Sequence, residues 1–270
     1  MWTIWLSEWR TLTRQRTYYT FLLLWVIVFS LLFLLERNNE GLTGYTNTSG
    51  TIVNIILYLL PLFMMLTGSF SIANEVENGE WQLICTYPLS NTSYLLGKLA
   101  GLFTAQVAVF TLSFGLSMAI GLASGITLPS KWLFDIYLFS LLLIIVFLIL
   151  GLFIGSIVNT RWKALMASVI IWFFFIMIWP TALIAVLGLF PYPLIATMMK
   201  IAMFLNPAEF LRVFLISKWK SGAVFGQSYD ALVQLFQSEA GWYILVCYLL
   251  GYLVVFVALS ILCLRRRSWT

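Results

Sequence analysis

Charged residues are absent from long stretches of this chain. No Asp, Glu, Lys, Arg or His occurs in residues 52–73, 99–130, 136–160, 164–199 or 240–264, nor in 17–35 ahead of the Glu36-Arg37 pair. About 20 apolar residues at 1.5 Å rise cover the hydrocarbon layer of a bilayer, so each run is long enough to cross it. The pattern predicts six membrane helices, near residues 18–35, 52–73, 95–122, 133–158, 164–189 and 242–264. Ahead of them, Trp2, Trp5, Leu6, Trp9 and Leu12 share one helical face, with Ser7, Arg10, Thr11 and Arg14 largely opposite. Residues 1–16 therefore read either as an amphipathic helix lying on the membrane surface or as an extension of the first span.

Composition agrees. The 270 residues are 62% hydrophobic and 9% charged, against about 25% charged in an ordinary soluble domain. The expected fold class is an all-α membrane protein: one transmembrane domain over residues 1–270, with a connecting segment at 74–94 and a longer outer segment at 190–241.

Orientation follows from the basic residues of the short connections. Arg10, Arg14, Arg16, Lys98, Arg161, Lys163, Arg265, Arg266 and Arg267 collect on one side, while the opposite short loops hold Arg37 and Lys131. This asymmetry predicts that both termini are cytoplasmic. The closing "RRRSW" reads as a stop-transfer anchor. Nothing at the N-terminus reads as a cleavable signal.

The missing residue types exclude several classes. Histidine is absent, which removes Ser-His-Asp hydrolases and H-E-x-x-H metalloproteases. Span interiors carry no ionisable groups of the sort that relay protons in pumps and secondary transporters. No nucleotide site is evident either, because Gly97-Lys98 is the sole Gly-Lys pair and leads into Leu99, whereas a phosphate loop needs G-x-x-x-x-G-K-[ST]. The expectation is a non-enzymatic chain with no bound cofactor or metal, and no nucleic-acid partner. Cys85, Cys247 and Cys263 fit no disulfide or metal spacing and read as packing residues.

Between the second and third spans sits an acidic, turn-bearing connection. Asn78-Gly79 is a turn signal, because Gly tolerates positive φ and Asn does so better than most. Glu80 to Tyr87 then predicts two turns of helix, ended by Pro88. Trp81, Ile84 and Cys85 share a face flanked by Leu83 and Tyr87, and Glu80 suits the positive end of the helix. With Glu75 and Glu77 at the preceding membrane exit, the segment reads either as a rigid rod with apolar anchors and an acidic shoulder that docks into a soluble partner, or as a polar loop kept in water.

Beyond the fifth span, Pro191-Tyr192-Pro193 ends a helix and residues 194–205 form an apolar dozen too short to cross. Asn206-Pro207-Ala208-Glu209 is a helix start, with Asn as N-cap, Pro at N1 and Glu at N3 closing a capping-box-like pair. Arg212 stands one turn after Glu209 and can pair with it. Met198, Met199 and Met203 are packing residues or, if they converge, soft ligands for Cu(I). Gly97-x-x-x-Gly101 and Gly151-x-x-x-Gly155 permit close helix approach, and Asn54 and Gln106 are the most polar groups inside the spans.

The stretch "NEVENGEWQLICTYPLS" ending at Ser90, followed by "LLGKLAG" at 95–101, resembles the permease subunits of ABC transporters of the ABC-2 (type V) kind. A narrower likeness, in "TYPLS", in Gly97-Lys98, in "LNPAEFLR" at 205–212 and in the closing arginines, is to the permeases of transporters that help mature nitrous oxide reductase. "GEW" at 79–81 departs from the glycine and threonine more usual there.

The resemblance implies a dimer of permeases in a bacterial inner membrane, driven by two separate ATP-binding subunits that hold ATP and Mg. It also implies a coupling helix built around Glu75, Glu77, Gly79, Glu80, Trp81, Ile84, Tyr87, Pro88 and Lys98, and a structural outer motif of Asn206, Pro207, Glu209 and Arg212. The cargo implied is a copper or sulfur species, with a peptide, antibiotic or lipid-like amphiphile as the alternative; a periplasmic accessory protein is a further expected partner. A membrane sensor or mechanical coupler that transports nothing is the reading from another class.

Overall fold

The computed structural model describes residues 2–36, 47–87, 89–125, 129–187, 189, 192–219 and 229–267, and every regular element among them is a helix. Five helices are long and apolar enough to cross a membrane. They are α3 (Asn47–Glu77), α5 (Asn91–Ala123), α6 (Ser130–Ile157), the pair formed by α7 (Arg161–Phe173) with its continuation, and α12 (Ala240–Arg267). A sixth crossing is available if α1 (Trp2–Arg14) and α2 (Arg16–Glu36), bent by 68°, are taken as one broken span. The helix ends do not follow the charge-free runs, with α3 exceeding its run at both ends and α5 and α6 starting before theirs and stopping short of the far end, because a backbone hydrogen-bond ladder stops at a cap, not at the edge of the hydrocarbon. Ser90 and Thr160 supply such caps, their hydroxyls accepting from the Ser93 and Lys163 N–H groups.

Packing inside the bundle follows the logic of lipid, where apolar surfaces gain little by associating and close backbone approach with hydroxyl bonding replaces hydrophobic drive. A Cβ added at Gly151 would stand 2.5 Å from the Met65 carbonyl oxygen, so α6 lies directly on α3. The Ser113 and Ser117 hydroxyls of α5 donate to the Leu22 and Val26 carbonyls of α2, at 3.1 and 3.0 Å. Ser168 on α7 donates to Ser69 on α3 at 3.0 Å, and the Trp172 indole donates to the Tyr58 carbonyl at 2.8 Å. The Gly151-x-x-x-Gly155 pair thus serves a contact within the chain. An aromatic column of Trp25, Phe29 and Phe33 on α2 fills the gap to Phe110 and Phe114 on α5.

The predicted fifth span is not one uniform helix. After α7 the chain widens into a single π-turn over Phe174–Ile178 before α8 (Trp179–Leu187). The reason is Pro180: its ring clashes with the carbonyl four residues back, and it offers no N–H. The segment after the fifth span then folds as α9 (Tyr192–Leu205), α10 (Pro207–Lys218) and α11 (Asp230–Gln237). Helix α10 is embedded, with Phe210, Leu211, Val213 and Ile216 all at or near zero exposure.

Candidate functional site

Where α3 ends, the expected turn forms. Gly79 adopts φ 77°, the left-handed region that disfavours a Cβ, and the short helix α4 (Glu80–Thr86) starts immediately. Chain flow into α5 follows through the Ser90 cap. Pro88, expected to end the rod, lies outside the described residues.

The orientation of α4 corrects the sequence reading of its faces. Trp81 and Ile84, expected as anchors for a partner, turn inward. Trp81 is buried edge-on against Tyr94 of α5 at 5.2 Å, and Ile84 packs on the same apolar cluster of Ile72, Leu95 and Leu102. Facing out are Glu80, Leu83 and Tyr87, the last two 65% and 66% exposed. The rod is fixed to its own bundle by one side and offers the other. Cys85 is exposed, without a disulfide among the described residues.

Beneath the rod lies an ionic knot. Lys98, near the start of α5, is 1% exposed, and its ammonium donates to Glu75 Oε1 of α3 at 2.5 Å and Glu8 Oε1 of α1 at 2.6 Å. The Tyr94 hydroxyl donates to the other oxygen of Glu75. A lysine withdrawn from water loses a large hydration energy, and only good geometry with a full set of hydrogen bonds offsets that loss. Here two carboxylates supply it, so three helices distant in sequence are held at one ammonium. Helix α1 is seated further by the Trp5 indole donating to Thr104 at 3.0 Å, and by Gly101, where an added Cβ would meet Glu8 Cβ at 2.7 Å.

Glu75 and Lys98 are therefore internal struts of the site, whereas Glu77 and Glu80 remain at its surface. Glu77 Oε2 accepts the Arg161 backbone N–H at 2.6 Å, with the Arg161 Nε at 3.9 Å, tying the end of α3 to the start of α7. Arg267 closes the same end of the bundle by donating to the Val158 carbonyl at 2.8 Å. Glu8 and Tyr94 belong to the knot but were missed in the sequence. A signal for Glu8 existed, since with Trp5, Trp9 and Leu12 it places one carboxylate on the apolar face of the N-terminal helix.

At the other end, Asn206 Oδ1 accepts from the N–H groups of Ala208 and Glu209, at 2.9 and 3.3 Å, with Pro207 in the first turn, as predicted. The Glu209 carboxylate pairs with Arg212 at 2.6 Å, while the Asn206 N–H that a full capping box would give to Glu209 donates to the Met203 carbonyl. Burial and the nearby Glu209 charge push the Tyr229 phenol up to about 12. Trp219, just past α10, donates to Asp135 Oδ2 of α6 at 2.9 Å. Lys218 sits over the Phe214 and Trp242 rings, and burial lowers its pKa. The three methionines differ in burial: Met203 is 1% exposed in the core, Met199 is half-buried and Met198 is 36% exposed. Inside the spans Gln106 is buried with no partner for its oxygen among the described residues, while Asn54 is half-buried.

Comparison with known proteins agrees with this architecture. The sequence profile of the ABC-2 family transporter protein matches residues 2–269. Two similar relatives are each named "Probable ABC transporter permease protein NosY". The one from Pseudomonas aeruginosa is 28% identical over 226 residues, 75% of this chain and 79% of the relative. The one from Stutzerimonas stutzeri is 28% identical over 218 residues, with coverage of 75% and 79%. A multi-pass helical bundle without a nucleotide-binding loop, matched to this family from end to end, belongs to the ABC-2 family of transporter proteins as a membrane-spanning permease subunit.

Proposed function

We propose that this permease works as a dimer in a bacterial inner membrane, with both termini cytoplasmic, and is driven through α4 by two separate ATP-binding subunits that carry ATP and Mg. One observation carries the reading: the inner side of α4 packs through Trp81 on Tyr94 of α5, whose hydroxyl bonds Glu75 of α3, while Leu83, Tyr87 and Glu80 are left outward. A rod attached in this way passes a push on its free face directly to the two longest spans. Glu77 and Gly79 shape or flank that face. Helix α1, turned away from α2 and seated on α5, serves as the amphipathic collar at the cytoplasmic surface.

The likeness to the permeases of nitrous oxide reductase maturation transporters supports a cargo of copper or sulfur. Neutral inner polar groups, Asn54 and Gln106 foremost, support a lipid-like or peptide amphiphile as the second reading. Membrane lipid surrounds the spans, and a periplasmic accessory protein would meet the α9–α11 side. The test is co-purification with the ATP-binding subunit, followed by reconstitution in nanodiscs and liposomes. ATPase activity that depends on the permease, with cargo movement, supports the reading. A stable chain that recruits no ATPase overturns it in favour of a sensor or mechanical coupler.

A further inference from the structure

The break in the fifth span takes from the Phe175 carbonyl the partner it would have in the π register. In the π-turn the Trp179 N–H donates to the Phe174 carbonyl, five residues back. The next carbonyl, that of Phe175, would in the same register meet the N–H of residue 180, and Pro180 has none. A bare carbonyl at membrane depth has no water to turn to.

Asn206 supplies the missing donor. Its Nδ2 donates to the Phe175 carbonyl at 2.7 Å, while its Oδ1 holds the first turn of α10 through Ala208 and Glu209. The orientation of the amide is unambiguous, because two N–H groups converge on one end and a carbonyl on the other. The residue is fully buried. At its far end α10 is tied to α6 by Trp219 and Asp135.

We propose that Asn206 is a positioning residue that locks the bend of the fifth span to α10, so that the bend, α10 and the outer end of α6 move together or not at all. The proposal rests on the permease reading only for its purpose; the lock itself is a property of the isolated chain. In a transporter it would make opening of the outer end a concerted step, since straightening the fifth span strands the Phe175 carbonyl unless α10 follows.

The experiment uses the full-length permease in nanodiscs, with hydrogen exchange followed at residues 174–182 and 206–212. Asn206→Ser keeps a capping oxygen and is too short to reach Phe175. Pro180→Ala restores an N–H at the position where the π-turn lacks one. Asn206→Ser alone should raise exchange across 174–182 on the order of tenfold, the factor set by loss of a net hydrogen bond. Adding Pro180→Ala should bring that segment back to the level of Pro180→Ala alone. A double variant whose two effects simply add, or an Asn206→Ser chain with unchanged exchange at 174–182, overturns the lock. Neither outcome depends on an ATPase partner, so failure of the lock and failure of the permease reading are separable. Within the assembled transporter, Asn206→Ser should lower cargo moved per ATP hydrolysed, and Pro180→Ala should restore part of it.

Discussion

Lys98 and Glu8 lie ninety residues apart in sequence and 2.6 Å apart in space, and the same ammonium holds Glu75. Removing one member of so buried a group leaves its partners charged and unmatched. Lys98→Met should therefore destabilise the permease by about 3–5 kcal/mol. Combining it with Glu8→Gln should recover part of that loss. Thermal unfolding of the purified chain in nanodiscs reads both, and a double variant no more stable than Lys98→Met alone would show that Glu8 is not coupled to the lysine.

The two carboxylates at the end of α3 should behave differently. Glu75→Lys places a second cation beside Lys98 and should damage folding. Glu77→Lys loses an exposed hydrogen bond from the Arg161 N–H and a half-exposed ion pair, together worth about 1–2 kcal/mol. Any loss of partner binding in Glu77→Lys is then an interface effect. Pull-down of the ATP-binding subunit beside a melting curve separates the two, and equal melting losses would refute the distinction.

Exposure splits the short helix α4 into an outward face and an anchoring face. Leu83→Glu and Tyr87→Glu should abolish partner-dependent ATPase activity while shifting stability by no more than about 0.5 kcal/mol, as surface changes do. Trp81→Ala should instead cost about 3 kcal/mol through the void left against Tyr94. Coupled ATPase assays with the three variants check the assignment; full coupling in Tyr87→Glu would place the contact elsewhere.

Helix α1 approaches α5 at Gly101, where an added Cβ would meet the Trp5 carbonyl oxygen at 3.0 Å. Gly101→Leu should lift α1 without unfolding the bundle, at a cost of about 1–3 kcal/mol. Proteolysis should then cut within residues 2–14 at least several times faster. Protection equal to that of the unmodified chain would mean that α1 is held by other contacts.

Several elements were legible from local pattern because their causes are local. Charge-free runs located the long helices, Asn78-Gly79 located the end of α3, and Asn206-Pro207 located the start of α10. The facing of α4 was not legible. A seven-residue helix with Trp81 and Ile84 on one side and Leu83 and Tyr87 on the other is apolar in both directions, and its own residues cannot say which side meets Tyr94.

By itself, then, the amino-acid order determined that this chain enters a bilayer repeatedly and carries a short helix between α3 and α5. Those conclusions follow from hydrophobicity and from capping, which act over a few residues. Tertiary structure alone decided that Lys98 is an internal strut joining α1, α3 and α5, and that Asn206 completes the broken fifth span. A buried charge or an orphaned carbonyl must find its complement wherever packing brings one, and that partner has no fixed distance along the chain.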